Sequence, residues 1–156
     1  MRIMVSIKAT CEVNASAEKV WEIVSDVDND PLYWSGLNAI RNVRKEENLV
    51  EREVKVGFMG NEGRQTIRLN PKESIDLTMT KGPLRGSRQM RLIPSKDGKR
   101  TKLDVEWDFQ FSGVPVFARG FVKSQIEGGT KEALEKVASA AEGSSSSPKV
   151  ALVSSK

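Results

Sequence analysis

The sequence contains no histidine. That absence removes Ser-His-Asp and Cys-His catalysis, histidine-ligated metals, haem on a proximal histidine and histidine-based pH switching. The single cysteine, Cys11, excludes an intrachain disulfide and a cysteine-cluster metal site. No apolar run approaches the roughly 18 residues that a membrane-crossing helix needs. Residues 1–8 alternate in polarity without a continuous apolar stretch, so no signal peptide is expected. The corresponding expectation is a cytoplasmic, reducing location, with Cys11 a small buried hydrophobe in phase with its strand neighbours.

What is present fits one soluble domain. A chain of 156 residues can bury a sizeable core without a disulfide or metal staple. The net charge of +4 is unevenly spread. Residues 12–30 hold six carboxylates against Lys19, a net of −5, and residues 81–102 hold eight basic groups against Asp97, a net of +7. The basic stretch is read first as a solvated strand face. It is also open to transient contact with an anionic membrane or an acidic partner. It carries no aromatic residue on which bases could stack, which argues against nucleic acid.

Periodicity sets the element order. Ile3 to Val13 alternate as a half-buried strand. Ser16 caps a short amphipathic helix over residues 17–25, and Pro31 sits in the first turn of a second short helix closed by Tyr33 and Trp34. Six strands follow. They include a weak one over 39–46, one over 49–58, three anchored on Ile67, Ile75 and Met90, and the clearest over 101–111. Gly57, Gly60 and Gly63 are read as a loop, and Asp97-Gly98 as a hairpin turn. A helix of about 27 residues then begins near Pro115 and is long enough, at 1.5 Å per residue, to cross a domain. Gly128-Gly129 predicts a kink or a close backbone approach within it. Residues 1–142 form the domain, and residues 143–156 read as a flexible Ser-rich tail.

The stretch Ser16-Ala17-Glu18-Lys19-Val20-Trp21-Glu22-Ile23-Val24-Ser25-Asp26, together with Tyr33-Trp34, Arg52-Glu53-Val54 and Gly129-Thr130-Lys131-Glu132-Ala133-Leu134, resembles the START-like (SRPBCC) superfamily. The nearest likeness is to its polyketide cyclase/dehydrase and coenzyme-Q-binding branch, over about residues 3–138. The resemblance implies an α+β helix-grip fold: a seven-stranded curved antiparallel sheet around a long C-terminal helix, with two short helices after the first strand. It also implies a cavity between sheet and helix for a lipid, quinone, isoprenoid or polyketide. Fold does not settle activity, because the superfamily holds carriers, cyclases and hydrolases.

The strand phase and the long helix nominate a ligand-binding set. Its apolar members are Met79, Met90, Trp107, Phe109, Phe117 and Phe121, and its polar members are Arg52, Gln65, Arg88 and Gln125. Tyr33 and Trp34 are candidates for an entrance. An inward arginine is costly unless paired, and its planar fork suits a carboxylate or phenolate. A structural ion pair is the competing reading for Arg52 and Arg88. The strand carboxylates Asp104, Glu106 and Asp108 fall on the outward phase, so no catalytic residue, cofactor or metal is nominated. Binding or transport of a small hydrophobic ligand is the first reading. A histidine-free cyclase or dehydratase is the second, and a charge-driven interaction module through residues 81–102 is the third.

Overall fold

The computed structural model describes residues 4–56, 61–143 and 150–153. In chain order the elements are β1 (Val5–Val13), α1 (Ala17–Val24), a single 3-10 turn (Val27–Asn29), α2 (Asp30–Tyr33), β2 (Leu37–Glu46), β3 (Leu49–Val56), β4 (Asn61–Asn70), β5 (Ser74–Lys81), β6 (Leu84–Pro94), β7 (Thr101–Phe111), α3 (Val116–Glu142) and β8 (Val150–Val153). The strands form one sheet in the order β2-β3-β4-β5-β6-β7-β1-β8, and every pairing is antiparallel. Short turns dictate this, since consecutive strands joined by a few residues can only fold back beside one another.

Strand periodicity puts one side of each central strand under α3. On β7 the residues Leu103, Val105, Trp107 and Phe109 are buried in alternation, and on β1 the buried set is Ile7, Ala9, Cys11 and Val13. The second half of α3 closes over them with Thr130, Ala133, Leu134, Val137, Ala138 and Ala141. Each fully buried valine, leucine or isoleucine there contributes about 1.5–3 kcal/mol. Ser16 caps α1 by accepting a hydrogen bond from the Lys19 amide at 3.3 Å. Gly143 ends α3 in the left-handed conformation, at φ 64°. Cys11 is buried, and burial, followed by Glu142 and Glu135, pushes its thiol up to about 11. It is unreactive packing.

Three expectations change. Among the described residues the sheet has eight strands, not seven, and the eighth comes from the segment read as tail. Val150–Val153 pairs antiparallel with β1. Its β-branched and aliphatic residues cover an edge of β1 that would otherwise present unpaired backbone groups. Gly63 belongs to β4 and not to a loop, while Gly57, Phe58 and Gly60 lie outside the described residues. The long helix runs unbroken through Gly128-Gly129, and Gly129 faces the Ser35 side chain. A glycine is required elsewhere: Gly86 on β6 has φ 150°, and a Cβ there would run into the Asp108 carbonyl oxygen.

Candidate functional site

Where α3 lifts away from the sheet, the fold encloses a cavity of about 310 Å³, at the small end of the range for small-molecule sites. Its floor comes from β3–β7. Cross-strand register decides which side chains meet there. Arg52 on β3 stands opposite Gln65 on β4, and Arg88 on β6 stands opposite Trp107 on β7 and Leu77 on β5. Trp34 and Ser35, just after α2, form one wall, and Gln125, Ile126, Gly129 and Thr130 of α3 form the roof. Lys81, Pro83 and Leu84 lie where β5 turns into β6.

Two arginines dominate the polar part. Arg52 is 1% exposed and fully engaged. Its Nε donates to Gln65 Oε1 at 2.9 Å, one terminal nitrogen donates to the Val27 carbonyl at 2.9 Å, and the other to Asp30 Oδ2 at 2.8 Å. Asp30 is itself buried, and desolvation raises its pKa above the ordinary carboxylate value against the pull of Arg52 and Arg88. Arg88 is 7% exposed and has no hydrogen-bond partner among the described residues. Its guanidinium carbon sits 3.9 Å from the centroid of the Trp34 ring and 5.4 Å from that of Trp107. Both are cation–π contacts, and among the described residues no hydrogen bond engages the guanidinium N–H groups. Burial lowers the Arg88 pKa to about 10, partly offset by Asp30, so the group is charged at neutral pH.

Trp107 is held in place from both sides. Its Nε1 donates to Thr130 Oγ1 at 3.0 Å, and that hydroxyl donates to the Ile126 carbonyl at 2.7 Å. Trp34 meets Trp107 edge-on, with centroids 6.1 Å apart. Both indoles therefore form rigid walls around Arg88.

Of the sequence-nominated residues, Arg52, Gln65, Met79, Arg88, Trp107, Gln125 and Trp34 come together on the cavity. Five do not. Phe109 is wholly buried in the aromatic row between Trp107 and Phe111. Met90 and Tyr33 line a much smaller hollow behind Trp34 and Arg88, beside Asp30, so Tyr33 is not at the mouth. Phe117 and Phe121 are 91% and 63% exposed, because the packed face of α3 there is the neighbouring row of Ala118, Val122 and Ile126. Asp30, Thr130 and Ser35 were missed by the strand-phase reading, since none of them is on a strand. Among the described residues, the cavity wall holds Arg52, Arg88 and Lys81 and no carboxylate.

The sequence pattern of the polyketide cyclase/dehydrase and lipid transport family matches residues 4–142. The chain belongs to this family. No curated protein matches it. Among solved structures it is similar to the Zhui aromatase/cyclase of a Streptomyces species, with a TM-score of 0.75, 19% identity, and 90% of this chain and 94% of that one covered. A START superfamily protein from Mycobacterium smegmatis matches at TM-score 0.58 and 24% identity, covering 90% of this chain and 94% of that one. Truncated norcoclaurine synthase from Thalictrum flavum matches at TM-score 0.66 and 15% identity, covering 88% and 92%. At these identities the likeness is one of fold: the α+β helix-grip arrangement of a polyketide cyclase/dehydrase or START-like ligand-binding domain. Among the described residues, no helix is long and apolar enough to cross a membrane.

Proposed function

We propose that this family member binds a small, largely apolar molecule carrying one acidic group, with that group on Arg88 and the apolar body against Val54, Met79 and Trp107. One observation carries the reading. Arg88 is a buried cation on the cavity wall with no hydrogen-bond partner among the described residues. A buried charge without a hydrogen-bonded partner is costly, and an anionic ligand group removes that cost. Arg52 does not compete for this role, because Asp30, Val27 and Gln65 already occupy it.

Binding is favoured over proton-transfer chemistry by the wall itself. A cyclase or dehydratase of this size needs a general acid or base within hydrogen-bond reach of its substrate. The described wall offers no carboxylate or tyrosine, and the Thr130 hydroxyl is committed to Ile126. Asp30 borders the small rear hollow and gives one oxygen to Arg52.

Gentle purification followed by native mass spectrometry and organic extraction should reveal a retained small organic acid. With defined probes, a medium-chain fatty acid should bind at least about tenfold more tightly than its methyl ester, the difference expected for one charge-assisted hydrogen bond in a buried site. Equal affinity for acid and ester would overturn the head-group assignment. Turnover of the retained molecule would overturn the preference for binding over catalysis.

A further inference from the structure

Large exposed hydrophobic residues are scattered singly over most of the surface, as is ordinary for a soluble domain. The start of α3 is different. Val116, Phe117 and Phe121 are 76%, 91% and 63% exposed within six residues. Phe117, Phe121 and Gln125 follow at i, i+4 and i+8, so the two rings stand in one row with a residue of the cavity roof. A side chain that is 91% exposed touches almost nothing of its own protein, so it protrudes and lines no groove.

The surroundings are basic. The β5–β6 turn lies beside the start of α3, because Ser112 donates to the Pro83 carbonyl at 2.8 Å and Leu84 pairs with Phe111. Segments 81–86 and 113–126 together carry Lys81, Arg85, Arg119 and Lys123 and no carboxylate. Lys81 and Leu84 on one side and Gln125 on the other line the cavity. Protruding aromatic side chains, nearby cations and residues of the cavity wall thus share one end of the molecule.

We infer that this end docks on an anionic lipid surface, with Phe117 and Phe121 entering the interfacial region and the four cations meeting lipid head groups. The charge pattern selects this occupant. Two copies joined isologously through this patch would bring eight cations together with no carboxylate from these segments between them, which is repulsive. Exposed rings flanked by Lys and Arg match the chemistry of a lipid interface, where apolar insertion and electrostatic attraction add. Docked this way, the cavity opens toward the bilayer, and a hydrophobic ligand passes without crossing water.

Sedimentation of the full chain with phosphatidylcholine vesicles, with and without phosphatidylserine, tests this. Binding should require phosphatidylserine, weaken as salt rises, and fall at least about tenfold in the Phe117→Ser/Phe121→Ser variant. Arg85→Glu/Lys123→Glu should weaken it similarly. Neither pair touches the Arg88 site, so fatty-acid affinity measured without vesicles should stay unchanged. That separates failure of the docking surface from failure of the cavity reading. No vesicle binding, or binding indifferent to both pairs of substitutions, would overturn the inference. So would a dimer in sedimentation equilibrium that the phenylalanine substitutions dissolve, because a second copy would then cover the patch.

Discussion

Arg52 and Arg88 stand on the same face of one sheet, three strands apart, and both are buried, yet their surroundings are opposite. Arg52 makes three hydrogen bonds, one of which is also an ion pair. Arg88 makes none within the described protein and rests on two indoles. Burial alone therefore says little about what a charged residue does. A satisfied buried arginine fixes structure: Arg52 ties β3 to the 3-10 turn and to α2, and so positions Trp34, which follows α2. Arg88, with no hydrogen-bond partner among the described residues and a place on the cavity wall, is the one of the two left for the proposed ligand.

The largest test is Arg52→Met. It leaves the Asp30 carboxylate and the Val27 carbonyl without their partner in a buried setting. Removing one member of such a pair costs about 3–5 kcal/mol. Urea denaturation should show a lower midpoint with an unchanged slope. Adding Asp30→Asn to that variant should recover part of the loss, because the buried carboxylate that Arg52 paired with is then neutral. A cost below about 1 kcal/mol would remove Arg52's structural role.

Arg88→Met should behave in the opposite sense. It removes a buried charge that has no hydrogen-bonded partner, at the expense of stacking on Trp34 worth up to about 2 kcal/mol. Stability should be equal to the parent within about 1 kcal/mol, or higher, while affinity for an acidic probe falls at least about tenfold. Isothermal titration and denaturation on the same sample would read both. If Arg88→Met unfolds as readily as Arg52→Met, the two arginines play the same part and the distinction collapses.

Most of the fold was legible because strand alternation and helix caps are local signals. The β7 pattern, the Ser16 cap and the Pro115 start each rest on residues adjacent in sequence. The inward phase also found both arginines, Gln65, Met79 and Trp107. What it could not find was Asp30, whose burial depends on α2 folding back over β3, a contact between residues 22 positions apart. An inward arginine was a partial signal, since it demands a carboxylate and residues 12–30 are rich in them. Phe117 and Phe121 failed for the reverse reason. Their helical spacing is correct for a buried stripe, but the row that packs is the adjacent one, Ala118, Val122 and Ile126. Val150–Val153 was masked by the Ser-rich stretch before it, although its aliphatic run is a fair edge strand.

The finest division concerns Gln65, which accepts from Arg52 Nε at 2.9 Å and also faces the cavity. Gln65→Leu removes one neutral acceptor and leaves Arg52 bonded to Asp30 and Val27. The expected cost is about 1 kcal/mol, well below that of Arg52→Met. A double-mutant cycle between the two positions should return a coupling of similar size, because the side chains touch. If Gln65 acts only by steadying Arg52, affinity for the acidic probe should change less than about threefold, under 1 kcal/mol. A tenfold loss with little change in stability would mean that the amide end of Gln65 also contacts the ligand. The acidic group would then lie between β4 and β6, bridging Gln65 and Arg88, and the contrast between the two arginines would become a shared site with one structural and one binding edge.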